Sequence, residues 1–536
     1  MSYPILKPNS TWFAPNVSTI TRSTITTINI VDTYTPADAT AVVDSWDASV
    51  AQDGSILCYV EGTVLTIAGN GSGKIAANED SSFMFYDSNK KDPFSALTEL
   101  NGLNLIDTTN ATTLQWAFAN CKKLLSVDLS TWDMSRCESI YAIFYNCTSL
   151  VSINLTGWDT SNMTNIAFAF DHCSSLTSLD VGSWDTSNVI NMKSVFNNCL
   201  KLTAIDVSNW NTSKVTTIYC MFQSCPITSL DVSKWDTSNI TNMSFAFWGC
   251  KGLTKLDVEN WNVSNVESFD HTFAHCNNLV VDVSNWKTSS KCKYYTCLFH
   301  TNANEYLDVS GFDTSGAISM AMMFEANVNL KKIKGLENFD TSNVASFQEM
   351  FFNCWNIEEL DLSSFDTRKA DTITPIRSDG NSPSECTARM LSGCRSLKKI
   401  TLGENFTFAG DGTATGDQIG TLPIQNSTYV DGADGNWYTL DGTAYTVNDV
   451  PNLTAATYYA SAPIAKHERN KNKLIDLNGL DTYHAENIKY IDEAVNAPKA
   501  EFILVSSTEG SAKQFKITID DTGTLTVSEI VTEEVE

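Results

Sequence analysis

A phrase close to LDVSxWDTSNVTNMxxxFxxC returns again and again through the middle of the chain. Its aromatic falls at Trp132, Trp158, Trp184, Trp210, Trp235, Trp261, Trp286, Phe312, Phe339 and Phe365, spaced 25 to 27 residues apart. A period in this range predicts a stacked solenoid, because a unit so short cannot bury its own apolar face and must lean on its neighbours. The middle of the chain is therefore expected to form one continuous core that presents surface. That form suits recognition better than catalysis.

The unit that starts at Cys173 reads CSSLTSLDVGSWDTSNVINMKSVFNN. Leu176, Leu179 and Val181 predict a short strand of the LxxLxV form found in leucine-rich repeats. After the turn SWDTSN, Val189, Met192 and Phe196 recur at i, i+3 and i+7, which predicts one face of a short helix. The pattern returns as Ile240, Met243 and Phe247, and as Val266, Phe269 and Phe273. Asp, Thr, Ser and Asn ahead of each such stretch are residues that cap open N–H groups and form Asx-turns. The expected fold class is an α/β repeat: a leucine-rich-repeat-like, right-handed solenoid of about ten coils of 25–27 residues, flanked by small β-rich N- and C-terminal domains.

A formal net charge of −27 repels phosphate backbones and anionic membrane surfaces, and no Lys/Arg cluster breaks that field, so no nucleic acid and no membrane is expected as a partner. Much of the acidity is positional. Asp128, Asp180, Asp206, Asp231, Asp257, Asp282, Asp308 and Asp361 share one repeat position, while Asp133, Asp159, Asp185, Asp236, Asp313, Asp340 and Asp366 follow the ladder aromatic. Stacked carboxylates repel, so hydrogen bonds from turn N–H or hydroxyl groups are expected to hold them ionised, with Ca²⁺ bridging as the alternative. Of fifteen cysteines, nine (Cys121, Cys147, Cys173, Cys199, Cys225, Cys250, Cys276, Cys354 and Cys394) also keep one position. Equivalent residues of successive coils are expected to stand too far apart for disulfides, so these read as buried free thiols filling small apolar spaces. No CxxC pair or Cys/His set of zinc spacing appears, and no cofactor or metal is expected; Cys292 and Cys297 come nearest.

The first thirty residues lack the basic start, apolar run and small-residue cleavage site of a Sec signal, and no apolar stretch approaches the roughly 20 residues of a membrane span. The reading divides the chain into an N-terminal segment (1–35), a small β-rich domain (36–104), the solenoid (105–404), a turn-rich β module (405–465) and a C-terminal helix plus β module (466–536) suited to attachment or oligomerisation, with a trimer considered. In the last module a helix is expected near Ala485 to Val495, followed by strands in EFILVSS, KQFKITID and TLTVSE. An insertion after Phe365, TITPIRSDGNSPSE (372–385), makes Arg377 and Asp379 contact candidates.

Catalytic motifs are weak. GNGSGK at 69–74 falls one residue short of phosphate-loop spacing and has Ile75 in place of the required hydroxyl, so it reads as a turn. His271 and His275 have i, i+4 metal spacing, but Thr272 stands where a metalloprotease places Glu, and they read as solvent-facing. Regular carboxylate ladders do not make the apolar pocket that raises a general acid's pKa, and no GxSxG elbow accompanies the Ser, His and Asp residues. The chain reads as non-enzymatic. Aromatics at positions that vary between coils, Trp116, Tyr141, Phe168, Tyr219, Phe245 and Trp248, are where a repeat protein customises its surface.

Residues 230 to 250, LDVSKWDTSNITNMSFAFWGC, resemble the repeats of the BspA-like leucine-rich-repeat surface proteins, and the resemblance runs over about residues 105 to 404. LTIAGNGSGKIAANEDSSFMF (65–85) is similar to the segment that precedes such repeats. Members are generally adhesive surface proteins of bacteria and their phages. LVSSTEGSAKQFKITIDDTGTLTVSEI (504–530) is similar to tails of phage virion proteins, and DGADGNWYTLDGTAYTVNDVPNLTAATYYA (431–460) to a phage-fibre module. The resemblance implies a virion protein, released by host lysis, that serves as a tail-fibre or receptor-binding component and contacts a bacterial surface glycan or protein and other virion proteins. A bacterial cell-surface adhesin and a structural capsid-surface or head-fibre protein are the alternatives.

Overall fold

The computed structural model describes residues 3–36, 40–87, 92–371, 387–408 and 421–462, and the backbone of three strands beyond residue 500. The chain divides into Met1–Pro463 and Ile464–Glu536. Arg377, Asp379 and the expected helix near Ala485 to Val495 lie outside the described residues.

Alternating apolar residues in Thr27–Val31 bury Ile28 and Ile30 and place that strand inside a five-stranded sheet. The order is Val42–Asp47, Leu57–Glu61, Val64–Ala68, Thr27–Val31 and Glu99–Asn101, antiparallel over the first three strands and parallel over the rest. Trp12 is fully buried among Phe13, Phe85 and Phe94, and its indole N–H donates to the Met84 carbonyl at 2.6 Å. This contact ties the N-terminal segment to the first repeat.

From there the repeats lie side by side in register. A parallel bridge chain runs Asp80, Thr113, Ser139, Asn165, Asn191, Thr217, Asn242, Ser268, Tyr294, Ser319, Ser346, one residue from each coil. On another edge, two- to four-residue strands pair in parallel between neighbours, as in Ser126–Asp128 with Ser152–Asn154 and Tyr306–Asp308 with Lys332–Lys334. The Thr after the ladder Asp or Asn adds a third line: Thr186 Oγ1 donates to Asn211 O at 3.0 Å and Thr212 Oγ1 to Asp236 O at 2.9 Å.

The expected α/β, leucine-rich-repeat-like right-handed solenoid is not what the structure shows. The described residues contain no α-helix, only short 3-10 turns, and the strands are too brief to make an extended sheet along the repeats. The apolar positions are still inside, with Val189, Met192 and Phe196 fully buried. Their backbone is a succession of turns. The N–H groups of Met192, Ser194, Phe196 and Asn198 donate to Thr217, Tyr219, Met221 and Gln223 of the next coil at 2.7 to 3.2 Å, so none closes an i→i−4 bond. Ser194 (φ 53°) and Asn198 (φ 57°) are left-handed, a conformation an α-helix does not hold. Bonding between coils has replaced bonding within a helix.

The cysteines share this logic. Each thiol of Cys147, Cys173, Cys199, Cys225, Cys250 and Cys276 points at the carbonyl of the Phe one coil back, with Sγ···O between 2.9 and 3.2 Å. Where the cysteine is missing, Asn302 and Asn327 send Nδ2 to Phe273 O and Phe299 O at 2.8 and 2.7 Å. All described cysteines are free and buried. The position needs a small donor, and Cys or Asn supplies it.

The parallel run ends at Glu359–Leu362 and Lys399–Leu402. Lys399–Leu402 then pairs antiparallel with Ala456–Ser461, which continues through Ala433–Tyr438 to Ala444–Tyr445. In the second unit Glu501–Val505, Gln514–Ile519 and Leu525–Ile530 form an antiparallel three-stranded sheet. Among the described residues no helix is long and apolar enough to cross a membrane.

Candidate functional site

From Leu114 onward each coil has a turn that opens on a buried residue, such as Leu114, Ile140 or Ile166, and whose third and seventh residues carry positive φ. Asn or His, which tolerate this conformation, often hold the seventh place: Asn120, Asn146, His172, Asn198 and His275. The third is less selective and includes Trp116 (φ 59°), Phe168 (φ 58°) and Phe245 (φ 58°). A bulky left-handed residue costs about 1–2 kcal/mol. The cost is offset because each such N–H reaches the next coil, Trp116 to Tyr141 O at 2.9 Å, Phe168 to Lys193 O at 2.8 Å and Phe245 to Asp270 O at 2.8 Å.

This backbone arranges side chains into a strip. Phe83 and Trp116 are parallel at 6.4 Å, and Trp116 meets Tyr141 at 5.6 Å and Tyr145 at 5.3 Å. Tyr141 contacts Phe168 edge-on at 5.3 Å. The Lys193 ammonium then lies 5.5 Å from the Phe168 ring and 4.7 Å from that of Tyr219. Tyr219 meets Phe245, which stacks on His271 at 4.5 Å. Five of the six aromatics singled out by sequence variation thus form one continuous file. Trp248 belongs to a neighbouring row, edge-on to His275, which in turn sits 4.4 Å from His300. All six are half-buried.

Sequence reasoning missed Phe83, Tyr145, Lys193 and His300. Tyr145 and Trp248 both stand five residues after a buried apolar residue, Ile140 and Met243, so a column alignment of the coils would have paired them. His271 and His275, read as solvent-facing, are half-buried against Phe245 and Trp248.

Electrostatics separates the two edges of the coil. The ladder carboxylates accept from the Ser two residues on: the Ser135, Ser161 and Ser187 N–H groups reach Asp133, Asp159 and Asp185 at 2.9 to 3.0 Å. Hydrogen bonding from these serines, through the side chain first and the backbone N–H second, holds the carboxyls below their ordinary range. On the turn side, His172 is raised by its hydrogen bond to Asp171 at 2.5 Å, while burial raises Asp171 itself. Among the described residues no group of three His, Cys, Asp or Glu side chains comes together as a metal site.

A family model described as Mycoplasma protein of unknown function, DUF285, matches at residues 82–178, 112–226, 138–251, 194–307, 227–332 and 293–381. Together these cover 82–381, more than half of the chain. The chain belongs to this family. No curated protein and no solved structure matches it significantly. Overlapping DUF285 matches are what a unit repeated every 25 to 27 residues produces, and they take in the aromatic strip from Phe83 to His271.

Proposed function

We propose that this DUF285 chain is a non-enzymatic recognition protein carried on a phage virion, a tail-fibre or related receptor-binding component, whose stacked coils contact a bacterial surface glycan or protein. The observation that carries this reading is the strip itself. Its backbone is held by a hydrogen bond to the next coil at every turn, while its side chains change from coil to coil among Trp, Tyr, Phe, Lys and His. Rigid, half-exposed aromatic surface of this kind binds with little loss of conformational freedom. The similarity of residues 431–460 and 504–530 to phage-fibre and virion modules supports the location.

The test is to incubate the full-length fluorescent protein with a panel of diverse bacterial strains, beside a Trp116→Ala/Phe245→Ala double variant whose fold is checked by circular dichroism. Strain-specific labelling by the parent and its loss in the variant are expected. Absence of labelling on every strain refutes receptor binding in favour of a structural role. Immuno-electron microscopy of phage particles tests the virion assignment, and labelling confined to bacterial envelopes overturns it in favour of an adhesin.

A further inference from the structure

The turn row stops at one coil. Glu349, Phe351 and Asn353 donate their N–H groups to Ala388, Met390 and Ser392 at 2.9 Å. The counterparts in that last coil, Arg389, Leu391 and Gly393, find no acceptor for their N–H groups among the described residues. Arg389 and Gly393, with Thr421–Asn426 and Tyr429, line a cavity of about 440 Å³. That volume lies within the roughly 300–1,000 Å³ typical of small-molecule sites.

Two arginines line it and differ in state. Arg389 is committed: it pairs with the buried Glu349 carboxylate and lies over the Phe352 ring at 4.7 Å. Arg395 has no carboxylate partner among the described residues, in a chain of net charge −27. Its guanidinium is instead held by two aromatic rings, 4.6 Å from Trp355 and 5.6 Å from Tyr429. Stacking fixes the guanidinium plane without using its in-plane N–H donors, so the fork is set for an incoming planar acceptor. Beside it, Asn426 accepts the Thr428 N–H through Oδ1, which leaves its amide donor side for a ligand. Ile424 adds an apolar wall that is 70% exposed.

We propose that this cavity binds an acidic sugar, its carboxylate on the Arg395 fork and the open N–H groups of Arg389 and Gly393, its hydroxyls on Asn426 and its apolar ring face against Ile424 and Tyr429. A single uncommitted Arg matches a carboxylate monoanion better than a phosphate dianion. The site is separate from the aromatic strip, so it does not depend on how that strip functions.

Saturation-transfer NMR and calorimetry on the full chain, with glucuronic acid, N-acetylneuraminic acid, glucose 6-phosphate and glucose as probes, test the assignment. At least one carboxylated sugar is expected to bind more tightly than glucose and glucose 6-phosphate, with affinity falling as salt rises. Arg395→Ala is expected to weaken it at least about tenfold, the scale of a lost charge-assisted bidentate contact. Arg395→Lys restores part, because a point charge lacks the fork. Tyr429→Ala, at an exposed position, weakens binding with the melting temperature unchanged and serves if Arg395→Ala misfolds. Absence of binding by both acidic sugars, equal affinity for glucose, preference for the phosphate, or unchanged affinity in folded Arg395→Ala overturns the proposal. Trp116→Ala leaves sugar binding intact, which separates this result from the bacterial labelling test.

Discussion

Replacing Trp210 with Phe and, in a second variant, Trp184 with Phe separates hydrogen bonding from packing in the aromatic ladder. Both indoles are nearly buried, at 2% and 4% exposure, and they stack on each other at 6.2 Å with 2° between their planes. Only one is satisfied. Trp210 Nε1 donates one coil back to Val181 O at 3.0 Å, whereas Trp184 Nε1 finds no acceptor among the described residues. Phe is a native occupant of the ladder at Phe312, Phe339 and Phe365, so either change keeps a ring in the stack. Its packing loss is similar at the two sites and cancels in the comparison. Trp210→Phe forfeits one hydrogen bond, a net cost of about 1 kcal/mol. The Val181 carbonyl keeps the Trp184 backbone N–H at 3.2 Å and is not left empty. Trp184→Phe removes a buried donor that costs about 1–3 kcal/mol unpaired. Trp210→Phe should therefore be the less stable variant by about 2 kcal/mol or more. Stacked repeats open locally, so hydrogen exchange read by mass spectrometry over residues 181 to 222 is the suitable assay. At tenfold per 1.4 kcal/mol, those peptides should exchange at least about tenfold faster in Trp210→Phe than in Trp184→Phe. Equal rates, or the reverse order, refute the hydrogen-bond account of the ladder.

Burial, reinforced by His275 and His271, lowers His300 to about 4, even with the Glu325 carboxylate 3.7 Å away. The unfolded chain takes up that proton near 6.5, so it binds more protons across the interval and stability falls as pH drops from about 6.5 to about 4. Urea denaturation across this range should show the slope, and His300→Gln should flatten it. Burial disfavours charge on Asp308, but hydrogen bonds from Lys334 at 2.8 Å and from Ser310 outweigh it and bring the pKa to about 2. Its stabilising contribution is complete above the ordinary carboxyl range near 4 and fades as pH falls through about 2. Lys334→Met should shift that loss to higher pH, read as a raised Asp308 pKa by carboxyl NMR. Burial raises the thiols of Cys147, Cys276 and Cys394 to about 12. Iodoacetamide at pH 8 should leave these cysteines unmodified in the native protein and alkylate them after denaturation; native labelling at any of them contradicts the buried ladder.

The repeat length, the coil interior and the turn chemistry were legible because each is written as periodic residue types. Leu176, Val181, Val189, Met192 and Phe196 are buried as their spacing required. The conformation joining the last three was not legible. A spacing of i, i+3, i+7 is shared by an α-helix and by linked i→i+3 turns, and the choice rests on whether N–H groups find carbonyls within the coil or in the next one. Asn146, His172 and Asn198 at matching left-handed positions carried a hint, since those residue types accept positive φ. The thiols were read as fillers, and their role as donors emerges only with Asn302 and Asn327 in the same place. The surface aromatics were legible singly, but Lys193 linking Phe168 to Tyr219 was not, because adjacency across coils depends on register.

The antiparallel pairing of Lys399–Leu402 with Ala456–Ser461 bears on how such a chain can change length. It closes the far edge of the last coil with a strand running the opposite way, while Trp12 and its neighbours close the near end. Neither closure counts the coils between them. A duplication or excision of one whole unit would leave both ends and every remaining register intact, whereas a deletion within a unit would misalign the bridges on either side. Reach and surface pattern can therefore be altered in steps of one coil, with the termini free to stay as they are.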